Sequence, residues 1–169
     1  KRSHKVVGTY RVISSTFSDR FYSESEFAME GVKSLPGHKL ELGRACIHPD
    51  YRSGAIINLL WKGIAEYMKK THTKYLFGCA SVPTAEPKEA SRILAFLRAK
   101  GLSTEEFGVE PLPKYSSDLA EVGFDPSLEK EIPALIQSYI LAGAKFYGLP
   151  ALDRDFGCYD FFMMLKTDE

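Results

Sequence analysis

Four stretches of the chain, 6–14, 39–47, 75–82 and 159–166, are rich in β-branched and aromatic residues, which suit the half-buried pleated surface of a strand. Between them the apolar period changes. In 56–70, Ile56, Leu59, Leu60, Ile64, Tyr67 and Met68 recur at three- and four-residue spacing, so one helical face is apolar and should pack on the sheet. A second helix is predicted over 87–101: Pro87 suits a first turn, Gly101 suits a helix end, and Ile93, Leu94, Phe96 and Leu97 supply the buried face. A third is predicted over 133–148. The segment 103–125 holds Gly, Pro, Ser and acids with little periodicity, and reads as a loop or insertion, either a lid over an acyl site or a flexible connection. Strands interleaved with helices predict an α/β layered domain.

Composition narrows the partners more than the fold. The 169 residues, 44% hydrophobic and 12% aromatic, are enough for a single domain over 1–169 with a real core. Twenty-two basic against 22 acidic residues, with no basic cluster, argue against nucleic acid and for a small or protein-borne substrate. Cys46, Cys79 and Cys158 each lie in an apolar stretch, which predicts reduced, buried thiols and a cytoplasmic setting. No run of about 18 apolar residues is present, so the chain is not expected to span a membrane, although it is free to rest against one through a lipid product. Because 5–13 reads as a strand from its first residues, with nothing ahead to pair with, the chain is expected to begin inside a larger protein.

The most informative segment runs from Leu40 to Trp61: a strand, a tight turn with Arg52, Ser53 and Gly54, then the amphipathic helix beginning near Ala55 and Ile56. The first N–H groups of a helix have no internal partners and sit at the positive end of its dipole, so they can hold a phosphate, with Arg52 adding a charged contact. Taken alone, Arg52-Ser-Gly-Ala55 fits an ordinary connection with a solvated arginine equally well.

Further residues extend the pattern: Val7-Gly-Thr-Tyr-Arg11, Phe21-Tyr-Ser-Glu-Ser-Glu-Phe27, Glu41-Leu-Gly-Arg44, His48-Pro-Asp-Tyr-Arg52, Leu60-Trp61, Phe77-Gly-Cys-Ala-Ser81, Ile132-Pro-Ala-Leu135 and Asp153-Arg-Asp-Phe-Gly157. Together they resemble the GNAT acyltransferases. More narrowly they resemble the acyl-carrier-protein-dependent branch that makes lyso-ornithine lipids and related N-acyl amino acids, whose members often carry a hemolysin label. Glu41-Leu-Gly-Arg44 is distantly similar to the Glu-x-Ser-Arg strand of acyl-homoserine lactone synthases. The resemblance implies a GNAT layered α/β fold, with a central mixed sheet flanked by helices. It also implies transfer of a fatty acyl group, with or without a 3-hydroxyl, from acyl carrier protein to the α-amine of an amino acid such as ornithine. No permanently bound cofactor is implied. A backbone N–H near Cys46 or Ile47, on a splayed strand, would meet the thioester oxyanion.

Two departures qualify this. The family's loop has small residues where this chain has Ile57, and a β-branched side chain hinders close approach of a coenzyme A pyrophosphate; this favours acyl carrier protein as donor over acyl-CoA. The strand and helices that such families place ahead of Val7-Gly-Thr-Tyr-Arg11 are missing from the sequence.

An α-amine, with a reference pKa of about 8, must lose a proton before it attacks a thioester. Glu41 is the candidate base; strand alternation sets it apart from Leu40 and Leu42, and the other reading is a salt bridge to Arg44 or Arg11. Arg44 is suited to an acceptor carboxylate or to fixing Glu41. Arg11, Ser81, Asp153 and Asp155 are candidate acceptor contacts, the two aspartates either for a side-chain cation or in a local salt-bridged turn. His48 either caps its turn or lies near the pantetheine arm. No nucleophile motif surrounds a cysteine, and His4, His38 and His72 have no ligand spacing, so no metal is expected. Two rival functions stand beside this one, a coenzyme A-dependent acetyltransferase for a small amine and a non-catalytic acyl-carrier or lipid-binding protein. The leading reading requires Arg52 and the first helical amides to share a groove with Glu41.

Overall fold

The computed structural model describes residues 5–52 and 54–167. Ser53 of the expected phosphate turn, and His4, fall outside them. The elements run β1 (Gly8–Ser14), β2 (Phe27–Ala28), α1 (Glu30–Lys33), β3 (His38–Ile47), α2 (Ala55–Thr71), β4 (Thr73–Val82), α3 (Pro87–Ala99), β5 (Ser103–Thr104), β6 (Glu110–Pro111), α4 (Ala134–Leu141), β7 (Lys145–Tyr147), β8 (Ala151–Asp153) and β9 (Cys158–Lys166). Seven strands form one mixed sheet in the order β1-β3-β4-β9-β7-β5, with β8 paired to β9, while β2 and β6 form a separate ribbon. The β3–β4 and β5–β7 pairs are parallel and the rest antiparallel. The α/β class with a mixed central sheet flanked by helices is as expected, and the four long strands and two longest helices fall within a few residues of their predicted bounds.

Strand alternation divides the core into two layers. Leu40, Leu42 and Leu76 pack with Ile64 and Met68 of α2, and next to them Ala80, Val82, Tyr159, Phe161 and Met163 pack with α3 and α4. On the other face Phe77, Phe162 and Met164 meet Phe21, Phe27, Met29 and Val32, which belong to the short elements between β1 and β3. The second layer is aromatic, with Phe77 edge-on to Phe21 at 4.9 Å and stacked on Phe162 at 5.6 Å. Such pairs contribute roughly 0.5–1.5 kcal/mol beyond their buried area. They pin the turn between Phe21 and Phe27, on which the site is built.

Several expectations need correction. The third helix ends at Leu141 rather than near 148: Gly143 at φ 88° turns the chain and 145–147 joins the sheet as β7. Segment 103–125 is largely irregular, as expected of a loop, but it is tied to the body of the protein rather than free. It carries β5 and β6, its Leu112 N–H donates to Glu26 O at 2.8 Å, and the Arg154 guanidinium holds the carbonyls of Lys114 and Ser116 at 2.6 and 2.9 Å. Leu59 and Tyr67, expected on the packed face of α2, are 64% and 39% exposed. All three cysteines are free, but Cys46 is exposed instead of buried, because beyond Gly43 its strand runs out at the edge of the core. Gly101 behaves as expected at φ 68°, ending α3. No helix among the described residues is long and apolar enough to cross a membrane.

Candidate functional site

The 3-10 turn Tyr22–Ser25 is held over the sheet by one carboxylate. Glu41, 1% exposed, accepts the Tyr22 N–H at 2.7 Å on Oε2, and the Ser23 N–H and hydroxyl at 2.6 and 2.5 Å on Oε1. The alternation that buries Leu40 and Leu42 under α2 sends Glu41 to the opposite layer, where these donors offset its lost hydration. Among the described residues it forms no ion pair, so the alternative reading, a bridge to Arg44 or Arg11, is not what the structure shows. Arg11 instead lies between Gly43 and Tyr22, its Cζ 4.7 Å from the Tyr22 ring centre; a Cβ at Gly43 would sit 2.5 Å from Arg11 Nη2.

Just past Glu41 the sheet opens. The β3–β4 ladder ends at Leu42↔Gly78, where the strands are so close that a Cβ on Gly78 would stand 2.3 Å from the Leu42 carbonyl. Beyond it β3 leaves with β1 as far as Gly8↔Ile47, while β4 stays with β9 as far as Val82↔Tyr159. A one-residue shift in the β1–β3 register, between Thr9↔Cys46 and Arg11↔Gly43, coincides with Arg44 at φ 50°. This is a β-bulge, which bends a strand and re-aims its side chains.

A cavity of about 370 Å³ lies at the opening. Of the residues singled out from the sequence, Glu41, Arg44, Arg11, Ser81 and Asp153 line it together. Cys46, Ile47, Arg52, Gly54, Ala55, Ile56 and Asp155 do not line it. Arg52 donates from Nε to the Ile47 carbonyl at 3.1 Å, closing the strand end. Ile56 faces β1, where a Cβ on Gly8 would meet its Cγ2 at 2.5 Å. Gly54, the N-cap of α2, sits at φ 85° and has no side chain to cap the amides that follow. The expectation that helix start and Glu41 share one groove is therefore not met, because α2 packs on the Leu40 and Leu42 face and Glu41 points the other way. Asp155 pairs with Lys114 at 3.5 Å in the turn after β8, and His48 caps its turn by accepting the Asp50 N–H at 3.4 Å.

The cavity also contains residues that sequence reasoning missed: Tyr22, Ser23, Glu26, Cys79, Phe156, Cys158 and Asp160. Glu26 and Asp160 are 3% and 4% exposed. Burial, and then the charge of Asp160, pushes the Glu26 carboxyl up to about 7. Burial raises Asp160 as well, opposed by the Ser81 hydroxyl that donates to it. The Cys79 thiol, 3.4 Å from Ser23 Oγ, is pushed well above its ordinary value by burial and by Glu26, which makes it a poor nucleophile. Tyr22, Ser23, Glu26, Cys79 and Phe156 lie inside the quoted motifs, but nothing in those motifs marks them as site residues, and Cys158 and Asp160 lie outside them.

Comparison with known proteins identifies first a class. Residues 1–62, through β1, β3 and the start of α2, match the model of the acetyltransferase (GNAT) domain. Over nearly the whole chain the sequence is then similar to L-ornithine N(alpha)-acyltransferases. It is 32% identical to that of Agrobacterium fabrum over 96% of this chain and 59% of the relative. It is 31% identical to that of Brucella abortus over 97% and 62%, and 32% identical to that of Rhizobium meliloti over 95% and 57%. The likeness stated on the motifs is thus borne out, and the chain spans about three fifths of the length of these relatives. A crystal structure of an aminoglycoside 6'-N-acetyltransferase complexed with coenzyme A aligns with a TM-score of 0.43 at 11% identity, over 76% of this chain and 58% of that one. At that distance the likeness says nothing of donor or acceptor.

Proposed function

We propose that the protein is an N-acyltransferase that moves a fatty acyl group from a pantetheine thioester to the α-amine of an amino acid, with ornithine as the leading acceptor. The observation that carries this reading is the opening of the sheet after Leu42↔Gly78, directly over a cavity lined by two arginines and several carboxylates. The names of the relatives support the acceptor. In this reading the thioester enters between β3 and β4, and the uncapped first turn of α2 with Arg52 holds the phosphate at the far end of the pantetheine arm. Donor and acceptor then approach the opening from opposite faces, an arrangement that replaces the single shared groove expected from the sequence. The amine nitrogen attacks the thioester carbon, the C–S bond breaks, and the thiol leaves with a proton.

The acceptor carboxylate is matched by Arg44, with Arg11 behind it. Both Glu41 oxygens already accept hydrogen bonds, so a proton reaches Glu41 through the Ser23 hydroxyl: the amine gives its proton to Ser23 Oγ as the hydroxyl proton passes to Oε1. Acyl carrier protein is the favoured donor, since a single phosphate needs less close backbone approach at Ile57 than a pyrophosphate does. The test is incubation of the protein with acyl carrier protein thioesters and, separately, acyl-CoA, against a panel of amino acids, with products weighed by mass spectrometry. An N-acyl amino acid from the carrier protein thioester is expected. Acetylation of a small amine from acetyl-CoA, with no product from any amino acid, would overturn the reading.

A further inference from the structure

Three acids from separate parts of the chain meet in this cavity. Glu26 follows the Tyr22–Ser25 turn, Asp153 ends β8 and Asp160 lies on β9, and one carboxylate oxygen from each lies within 4.8 Å of the others. All three are at least nine-tenths buried. Their present partners leave acceptor capacity unused. Asp153 Oδ1 takes the N–H groups of Asp155 and Phe156 at 2.9 and 3.0 Å. Asp160 takes the Ser81 hydroxyl on Oδ1 and the Cys158 thiol on Oδ2 at 3.5 Å. Glu26 Oε2 is buried with no partner. Among the described residues no lysine, arginine or histidine forms an ion pair with any of the three.

Buried carboxylates without a counter-charge are costly, and a group that could be apolar is retained as an acid here three times over. We infer that the Glu26, Asp153 and Asp160 cluster is a receptor for a primary ammonium group, and that it selects an acceptor amino acid whose side chain ends in one. Three acceptors are what an –NH₃⁺ group needs, since it has three donors and no lone pair. Charge-assisted N–H···O contacts of about 2.8 Å around a tetrahedral nitrogen place the acceptor oxygens roughly 4.6 Å apart. The three oxygens, all within 4.8 Å of one another, are close enough to be shared by one such nitrogen. The same cavity carries Arg44 and Arg11, so an arginine face for a carboxylate and an acid face for a side-chain cation lie together, as a diamino acid requires. Identifying the cation with the acceptor rests on the acyltransferase reading; the cation preference itself does not.

The experiment measures binding by titration calorimetry in the presence of EDTA, using L-ornithine and its uncharged analogue L-norvaline, on the wild-type protein and on Glu26→Gln and Asp160→Asn. Ornithine is expected to bind at least about tenfold more tightly than norvaline to wild type, the worth of one lost charge-assisted contact set. Each variant should bring ornithine to within about threefold of norvaline while leaving norvaline where it was. Thermal melts of both variants guard against misfolding, and the inference stands on whichever of the two melts cooperatively near wild type. Equal affinity for the two ligands in wild type, or a discrimination that survives both substitutions, overturns the proposal. So does tight binding of Mg²⁺ or Ca²⁺, titrated alone without EDTA, that ornithine fails to displace. The acyl-transfer panel separates the two claims: selective ornithine binding without N-acyl product would leave the receptor and remove the enzyme, whereas equal acylation of norvaline and ornithine would do the reverse.

Discussion

Glu41→Gln tests how the cavity is built. The wild-type carboxylate takes three donors across two oxygens, from the Tyr22 N–H, the Ser23 N–H and the Ser23 hydroxyl, at 2.5–2.7 Å and almost without solvent. Glutamine keeps the shape but has one acceptor oxygen. With that oxygen turned to Ser23, two bonds survive as neutral ones, each weaker by about 1 kcal/mol than its charged counterpart. The amide NH₂ then faces the Tyr22 N–H, donor against donor, which strands a buried N–H at a cost of about 1–3 kcal/mol. The variant is spared the desolvation of a buried charge, so the net loss is roughly 2–3 kcal/mol. For a protein of this size that lowers Tm by about 5–10 °C.

Thermal melting followed by circular dichroism reads this directly, with Ser23→Ala and the double variant completing a cycle. Coupling of about 1 kcal/mol or more between the two positions is expected, because each removes a partner of the other. A Glu41→Gln melt within 2 °C of wild type, or additive effects of the two changes, would refute the claim that this carboxylate ties the Tyr22–Ser25 turn to β3. Acyl transfer measured well below the lowered Tm addresses the chemical role apart from the structural one: loss of kcat there is expected from the Ser23 relay.

Gly78→Ala pushes a Cβ to 2.3 Å from the Leu42 carbonyl, a backbone atom held by the ladder, so a loss of about 1–3 kcal/mol and faster amide exchange at the end of the β3–β4 pairing are expected; an unchanged melt would mean the strands are not this close. Stability should also depend on pH through Glu26. Its carboxyl is raised from 4.5 to about 7, so as pH rises through that window the unfolded chain gives up the proton first and the folded state loses stability, levelling off above about 7. Glu26→Gln removes this component, and its Tm relative to wild type should rise between pH 5 and pH 8; a difference that is flat with pH would count against a protonated, buried Glu26.

Much of the frame was legible because it depends on period. β-Branched and aromatic richness marked the long strands, the three- and four-residue spacing marked α2 and α3, and Gly101 marked a helix end by the backbone freedom it alone supplies. The helix over 133–148 was overdrawn because Gly143 and Gly148 both turn the chain, and the apolar residues between them are equally good strand formers. If Leu40 and Leu42 pack under the apolar face of α2, Glu41 must face away from that helix, so a phosphate at the helix start and a base at Glu41 have to work from opposite sides of the sheet. The opening between β3 and β4 is what permits that, and its cause is illegible in sequence: a single-residue bulge at an arginine in a left-handed conformation leaves no compositional trace. The acid cluster was hidden for a different reason. Glu26, Asp153 and Asp160 are brought together by a 3-10 turn, a strand end and a hairpin, each with an acid that alone looks like ordinary surface charge. Asp153 could be singled out because its motif resembled known relatives, whereas Glu26 and Asp160 carry chemical meaning only once burial is known. The frame that the sequence discloses is thus the part set by repeating local geometry, and the acceptor chemistry depends on three side chains whose proximity is purely tertiary.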